Sequence, residues 1–168
     1  LRLLEEAWTL GRTSLAVQNM AQVSLAQRLG LPARGDYGLN VFNSRSLAEL
    51  DRWGLRSACL SFELRWEQLR DLAKPLPCEA LVYGRLPLML TENCLISNGG
   101  RGCAVRQGRA VPCGAPHTLT DRRGEVFPVL PVFGCRSEVE NSRTLFLADK
   151  PEYLCCGLAY ARLRFTTE

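Results

Sequence analysis

The residues with the clearest capacity for chemistry are four cysteines in one glycine- and arginine-rich stretch. They are Cys94, Cys103, Cys113 and Cys135, separated by 9, 10 and 22 positions. Thiolates are soft ligands that suit Zn²⁺ or an iron–sulfur cluster. Structural zinc usually takes cysteines in pairs that stand roughly two to four residues apart. The stretch has no such pair, so the spacing favours a Cys₄ iron–sulfur cluster over zinc, with four unrelated free thiols as the alternative.

The other cysteines are predicted to be structural, because free cysteine commonly behaves as a small buried hydrophobic residue. They are Cys59, Cys78, Cys155 and Cys156. The single histidine, His117, could ligate a metal or act as a base, but a loop residue hydrogen-bonded to the backbone explains it more simply. The sequence has no G-x-S-x-G or H-E-x-x-H motif, so serine-type and zincin catalysis lack support.

A second set of polar residues follows or lies within the predicted strands. Its members are Asn43, Ser61, Glu63, Tyr83, Arg85, Arg162 and Arg164. In an α/β barrel the carboxyl ends of the strands line the active-site mouth, so this set is predicted to bind substrate. The three arginines could meet a carboxylate or phosphate in bidentate fashion. Each residue taken singly is also explained as a helix cap or a surface ion-pair partner.

The elements that would position these residues alternate between strand and helix at intervals of about twenty residues, which is typical of βα units and a parallel sheet. Strands are predicted at 14–18, 37–42, 56–61, 79–83 and 158–165, and helices at 20–29, 45–53 (with Ser44 as N-cap), 65–73 and 151–156. No strand is followed by GxGxxG or a P-loop, so a (β/α)8 barrel is favoured over a nucleotide-binding doubly wound sheet. A complete barrel takes roughly 250 residues. The expected fold is therefore a partial (β/α)8 TIM-type barrel, its C-terminal portion, with a long Cys-rich loop.

Composition and charge limit the classes of protein that fit. With 168 residues and 46% hydrophobic content, one domain over 1–168 is expected, with 91–136 as a cluster-binding loop inserted before the last helix and strand. Charged residues interrupt every apolar run, which predicts a soluble, cytoplasmic protein with no membrane span. The net charge of +4 is dispersed, so it permits nucleic-acid binding without arguing for it. The unpaired edges of an incomplete barrel predict a missing barrel segment or a homo-oligomer as partner.

Several segments together carry a resemblance to a known family. They are 79–94 (EALVYGRLPLMLTENC), 121–129 (DRRGEVFPV) followed by Cys135 and Asn141-Ser142, 40–44 (NVFNS), 60–64 (LSFEL) and 162–168 (RLRFTTE). This combination resembles the collagenase-like peptidases, unassigned peptidase family thirty-two, and spans almost the whole chain. Many members have Val-His-Gly where this chain has Val82-Tyr83-Gly84, so a role for that histidine does not carry over. By the resemblance Cys94 and Cys135 are the firmer ligands, and Cys103 and Cys113 complete the set.

The resemblance implies two kinds of activity. The family is named for collagen degradation, yet several members are 4Fe-4S proteins that support oxygen-independent hydroxylation of RNA bases or of ubiquinone precursors, with prephenate as the implied oxygen source in some. The residues favour hydroxylation, because four cysteines are present and no nucleophile–base pair or catalytic zinc motif is. Three hypotheses follow: an iron–sulfur hydroxylation enzyme acting on RNA or a small aromatic substrate, a peptidase, and a zinc-stabilised binding module without catalysis.

Overall fold

The computed structural model describes residues 14–98, 116–132 and 135–166. The strands are β1 (Leu15–Val17), β2 (Ala33–Gly35), β3 (Ala58–Cys59), β4 (Cys78–Thr91), β5 (His117–Thr120), β6 (Val126–Val132), β7 (Arg136–Phe146) and β8 (Tyr160–Arg164). The α-helices are α1 (Met20–Arg28), α2 (Ser44–Arg52), α3 (Trp66–Asp71) and α4 (Leu95–Asn98), and short 3₁₀ helices cover Tyr37–Leu39 and Pro151–Cys155. Among the helices of these residues, none combines the length and the apolar character that a membrane crossing needs.

These elements form two compact units. Unit 1 comprises Leu1–Val82 and Ala148–Leu163, and unit 2 comprises Tyr83–Leu147 and Arg164–Glu168. The prediction of one domain over 1–168 stays a prediction, because the compactness of each part does not decide whether the parts unfold together.

Unit 1 is built from adjacent parallel strands in the order β1-β2-β3-β4. Val17 pairs with Gly35, Gly35 with Ala58, and Ala58 with Cys78. Parallel neighbours joined by helices are what the alternating pattern predicts, so this part of the prediction is confirmed. The confirmed fold class is mixed α/β.

The core of unit 1 lies on one face of this sheet. Side chains of the row that contains Val17, Ala58 and Cys78 pack with apolar residues of the helices and connecting segments. The helices contribute Val23 and Ala26 (α1), Leu47 and Leu50 (α2), and Leu69 (α3). Each buried Val or Leu side chain contributes about 1.5–3 kcal/mol when fully buried. These contacts place the helices on one face of the sheet, and other residues occupy the opposite face.

Two local predictions in unit 1 were wrong. The strand expected at 37–42 lies earlier, at β2, because Asp36 caps the 3₁₀ turn by accepting a hydrogen bond from the Tyr37 N–H at 2.7 Å, and Asn40 adopts a left-handed φ of 46°. Only Val41 of that range forms a bridge, to Leu60. The N-cap of α2 is Asn43, whose Oδ1 accepts from the Ser46 N–H at 2.9 Å, not Ser44.

Unit 2 is antiparallel, with strand order β4-β7-β6-β5. The hairpin β5–β6 falls inside 91–136, which was predicted to be a loop, so that prediction was wrong for the described part. The sequence pattern does not predict β6, because Pro128 and Pro131 fall within it and proline lacks the N–H that a strand ladder uses. The hairpin turn is fixed by Asp121, whose Oδ1 accepts from the N–H groups of Arg123 at 2.8 Å and Glu125 at 2.9 Å.

Candidate functional site

A row of polar residues crosses the parallel strands of unit 1. The register places Asp36, Cys59 and Glu79 side by side, because each follows a paired member of the row Gly35, Ala58 and Cys78. Gln18 continues the row, since its Nε2 donates to Asp36 Oδ2 at 3.0 Å. Successive residues of a strand point to opposite faces, so this polar row lies on the face away from the helices. Gln18, Asp36, Cys59 and Glu79 form this polar row.

Arg162, on β8, binds both carboxylates of the polar row. Its Nη1 donates to Asp36 Oδ1 and its Nη2 donates to Glu79 Oε1. The side chains are 24% exposed for Arg162, 9% for Asp36 and 12% for Glu79. Partly desolvated charges of this kind need their partners, and loss of one partner of a buried pair costs about 3–5 kcal/mol. The arrangement therefore fixes the guanidinium firmly while leaving it in contact with solvent.

The cysteines of unit 1 are mostly inert. Burial raises the pKa of Cys59 to about 12 although Arg162 acts in the opposite direction. Burial raises the pKa of Cys78 to about 11 and also raises that of Cys156. A thiol with a raised pKa is a poor nucleophile at neutral pH, so the structural assignment of these three is confirmed. It was wrong for Cys155, which is exposed.

The other predicted substrate-binding residues of unit 1 have local roles. Asn43 caps α2. Ser61 is 4% exposed, and its Oγ accepts a hydrogen bond from the Glu63 N–H at 3.4 Å. Glu63 is exposed. Their contact with a substrate stays a prediction.

In unit 2, Arg164 lies between two carboxylates of β7. Its Nη2 donates to Glu138 Oε1 at 2.5 Å and its Nη1 to Glu140 Oε1 at 2.6 Å. Glu140 is fully buried, and within the described residues its Oε2 has no hydrogen-bond partner. Burial raises the pKa of Glu140, while Arg164 acts to lower it.

Arg85 and Tyr83, also in unit 2, contact parts of β7. The strand pair β4–β7 has irregular register between Arg85 and Pro87. At this point Arg85 Nη1 donates to the carbonyl oxygens of Asn141 at 2.8 Å and Ser142 at 2.5 Å. The Tyr83 ring packs against Phe146 and Phe165, with centroids 6.1 and 5.3 Å apart. Arg85, Arg162 and Arg164 thus all bind groups of the chain itself, and their role toward substrate stays a prediction.

Two of the four predicted metal ligands lie at one end of the β4–β7 pair. Thr91, the last residue of β4, pairs with Ser137 near the start of β7. Cys94 follows Thr91 by three positions and Cys135 precedes Ser137 by two. Antiparallel pairing thus brings the half-buried Cys94 and the exposed Cys135 to the same end of the strands.

The remaining ligands, Cys103 and Cys113, lie outside the described residues. In the ranges 14–98, 116–132 and 135–166, no group of three or more His, Cys, Asp or Glu side chains is arranged to hold a metal ion. Convergence of all four thiols stays a prediction. His117 is a strand residue, paired with Val129, so its assignment to a loop was wrong.

Sequence reasoning missed the acidic partners of both arginines: Asp36 and Glu79 in unit 1, Glu138 and Glu140 in unit 2. A signal was present, since Glu79 stands at the start of an apolar run, and Glu138 and Glu140 alternate with Val139. A charged residue inside a half-buried strand needs a partner. Only the fold identifies which arginine supplies it.

These features define the class of protein. It is a mixed α/β protein whose parallel strands carry the polar row, and two of its cysteines, Cys94 and Cys135, lie at one end of the antiparallel pair β4–β7. The family comparison is more specific. The model of Peptidase family U32 matches residues 1–155, which is most of the chain, and the chain belongs to that family. No curated protein and no solved structure shows a significant match.

Proposed function

We propose that this member of peptidase family U32 is a cytoplasmic iron–sulfur enzyme that supports oxygen-independent hydroxylation of an RNA base or an aromatic precursor. The observation that carries the proposal is the placement of Cys94 and Cys135 at one end of the β4–β7 pair. Such a pair fits a cluster, because thiolates are the usual ligands of iron–sulfur centres. Cys94 and Cys135 would hold a 4Fe-4S cluster together with Cys103 and Cys113, and the cluster when bound supplies one-electron chemistry.

The burial of other thiols supports this proposal over a cysteine peptidase. Cys59 and Cys78 have pKa values raised to about 12 and about 11, so they are poorly suited to nucleophilic attack. We further propose that β1–β4 are the C-terminal part of a (β/α)8 barrel, with Arg162 and Ser61 among the residues that contact substrate. Prephenate is a proposed co-substrate.

The test begins with the full chain purified without oxygen. Its visible spectrum and its iron, sulfide and zinc contents are measured for the wild type, for Cys94→Ala and Cys135→Ala, and for Cys155→Ala as the matched control at an exposed cysteine. We expect a brown wild type, loss of iron in the first two variants and none in the control. Zinc without iron would instead support the non-catalytic binding module.

The second half of the test concerns activity. RNA nucleosides and aromatic acids from cells with the wild-type protein and with Cys94→Ala are compared by mass spectrometry for addition of one oxygen atom. We expect the addition only with the wild type. Cleavage of collagen-like peptides at an enzymatic rate by the cluster-free protein would overturn hydroxylation in favour of the peptidase.

A further inference from the structure

In unit 2, Arg164 supplies one positive charge to two carboxyl groups of β7, Glu138 and Glu140, which form a carboxyl pair. Its Nη2 donates to Glu138 Oε1 at 2.5 Å and its Nη1 donates to Glu140 Oε1 at 2.6 Å. The side chains are 15% exposed for Arg164, 17% for Glu138 and 0% for Glu140. With both carboxyls ionised, this group would therefore keep one uncompensated negative charge largely away from water.

The strands beside the carboxyl pair place apolar residues opposite it. Pro87 and Leu90 of β4 and Leu130 of β6 stand opposite its two members. The guanidinium of Arg85, also on β4, donates to main-chain carbonyl oxygens of β7. Within the described ranges, Arg164 is therefore the cation to which the carboxyl pair is bonded.

One oxygen of the carboxyl pair is buried without a donor. Glu140 Oε2 has no hydrogen-bond partner among the residues that the structure describes. An ionised oxygen in such a place is costly, and a carboxyl group there takes up a proton instead. Burial raises the pKa of Glu140, Arg164 acts to lower it, and Glu138 acts to raise it. Because burial and Arg164 act in opposite directions, the second carboxyl on the same guanidinium favours the protonated form.

We propose that Glu138 and Glu140 hold one proton between them in the folded protein, and that this proton keeps both carboxyls bonded to Arg164. The proton makes the group neutral, with one guanidinium, one carboxylate and one carboxylic acid. Two neighbouring carboxyls resist ionising together, because like charges disfavour each other, and the proton then belongs to the pair. Its loss leaves two anions on one guanidinium and weakens the attachment of Arg164 to β7.

The carboxyl pair is thus a pH-sensitive device within unit 2. Glutamates of the unfolded chain lose their protons near pH ~4.3, whereas the folded carboxyl pair keeps one proton above that pH. Folding then takes up a proton, so stability falls as pH rises until the folded pair has also ionised. The inference does not depend on the proposed iron–sulfur function, since it uses no cysteine and no metal.

The test is urea unfolding of the full chain from acid to alkaline pH for the wild type, Glu138→Gln and Glu140→Gln, with Glu125→Gln as the control at a more exposed carboxylate. We expect the unfolding midpoint of the wild type and of the control to fall as pH rises. Glu138→Gln should show a smaller fall, because it leaves one carboxyl for one guanidinium. Glu140→Gln should also show a smaller fall, because its amide has no such proton to lose. A fall in Glu138→Gln as steep as that of the wild type would overturn the proposal, since burial alone would then hold the proton on Glu140.

A second measurement decides even if the variants do not fold. NMR of isotope-labelled glutamate carboxyl carbons in the wild type follows ionisation directly. We expect two carboxyl resonances to move together at a higher pH than those of the exposed glutamates. Movement of a single resonance at that higher pH, or titration of every resonance near pH ~4.3, would overturn the proposal. Both measurements are made without turnover, so their outcome is distinct from that of the hydroxylation proposal, which is judged by iron content and product.

Discussion

The hydroxyl of Ser137 accepts a hydrogen bond from the backbone N–H of Leu95 at 3.0 Å. This bond ties the residue after Cys94 to the strand that begins just after Cys135. Ser137 is fully buried, and Glu92 and Arg136 form an ion pair at 2.9 Å beside it. The two cysteine-bearing segments are therefore held together by side chains other than the cysteines.

Ser137→Ala should weaken this connection and reduce retention of the proposed cluster. The loss of one hydrogen bond is expected to lower the free energy of unfolding by about 0.5–1.5 kcal/mol. Iron per chain after anaerobic purification should fall below that of the wild type. Ser142→Ala, on the same strand, is the control, because among the described residues the Ser142 hydroxyl forms no hydrogen bond and only its carbonyl accepts one, from Arg85. Unchanged iron in Ser137→Ala would show that Ser137 does not support the site.

Glu140→Gln should change how stability depends on pH. An unfolded glutamate titrates near ~4.3, and burial raises the folded pKa of Glu140. Stability is fully present below the unfolded pKa and is lost as pH rises through the folded pKa, because ionising the buried carboxyl then favours unfolding. Arg164 and Glu138 are the charged groups that face it. Urea unfolding from acid to alkaline pH should show a smaller decline for Glu140→Gln.

The matched control for Glu140 is Glu125→Gln, an exposed carboxylate of unit 2 that lies 3.7 Å from Arg143. Exposed pairs contribute little to stability, so its pH profile should follow that of the wild type. A Glu140→Gln profile that also follows the wild type would contradict the raised pKa.

Arg85→Ala should destabilise unit 2 and leave the iron content of the protein unchanged. Its guanidinium donates to two carbonyls at the irregular part of β7, and bonds to charged groups contribute about 1.5–3 kcal/mol. Chemical denaturation measures the loss. Arg123→Ala should be near neutral, because it changes an exposed turn residue whose backbone N–H donates to Asp121 and whose side chain forms no hydrogen bond within the described residues. Loss of iron in Arg85→Ala would instead mean that the irregular part of the β4–β7 pair helps to position Cys94 and Cys135.

Asn43→Ala should lower stability by about 0.5–2 kcal/mol, the usual effect of removing an N-cap side chain. Asn43→Asp should retain most of the stability, because a carboxylate also accepts from the Ser46 N–H. Thermal unfolding separates the two variants. Equal destabilisation by Ala and Asp would mean that the Asn43 amide group stabilises the protein in some way other than this cap hydrogen bond.

The sequence determined the parallel strands and helices of unit 1, because their signals are local. Alternation of short β-rich runs with helical patterns identifies β1, β3 and β8 and the helices α1, α2 and α3 to within a few residues. The family also followed from sequence, since contiguous motifs carry it. The sequence also placed Arg162 and Arg164 in the last predicted strand, and both lie in β8.

The tertiary structure decided what those residues contact. Asp36 and Arg162 are 126 positions apart, and Arg85 is 56 positions from Asn141. No periodicity reports such pairings, because strand register and the order of strands in a sheet depend on packing across the whole unit. The hairpin β5–β6 was not predicted for a related reason. The prolines of β6 lower its local strand propensity, and its pairing with β7 outweighs that low propensity in the folded protein. Composition and spacing thus indicate which residues can do chemistry, and the fold decides which of them meet.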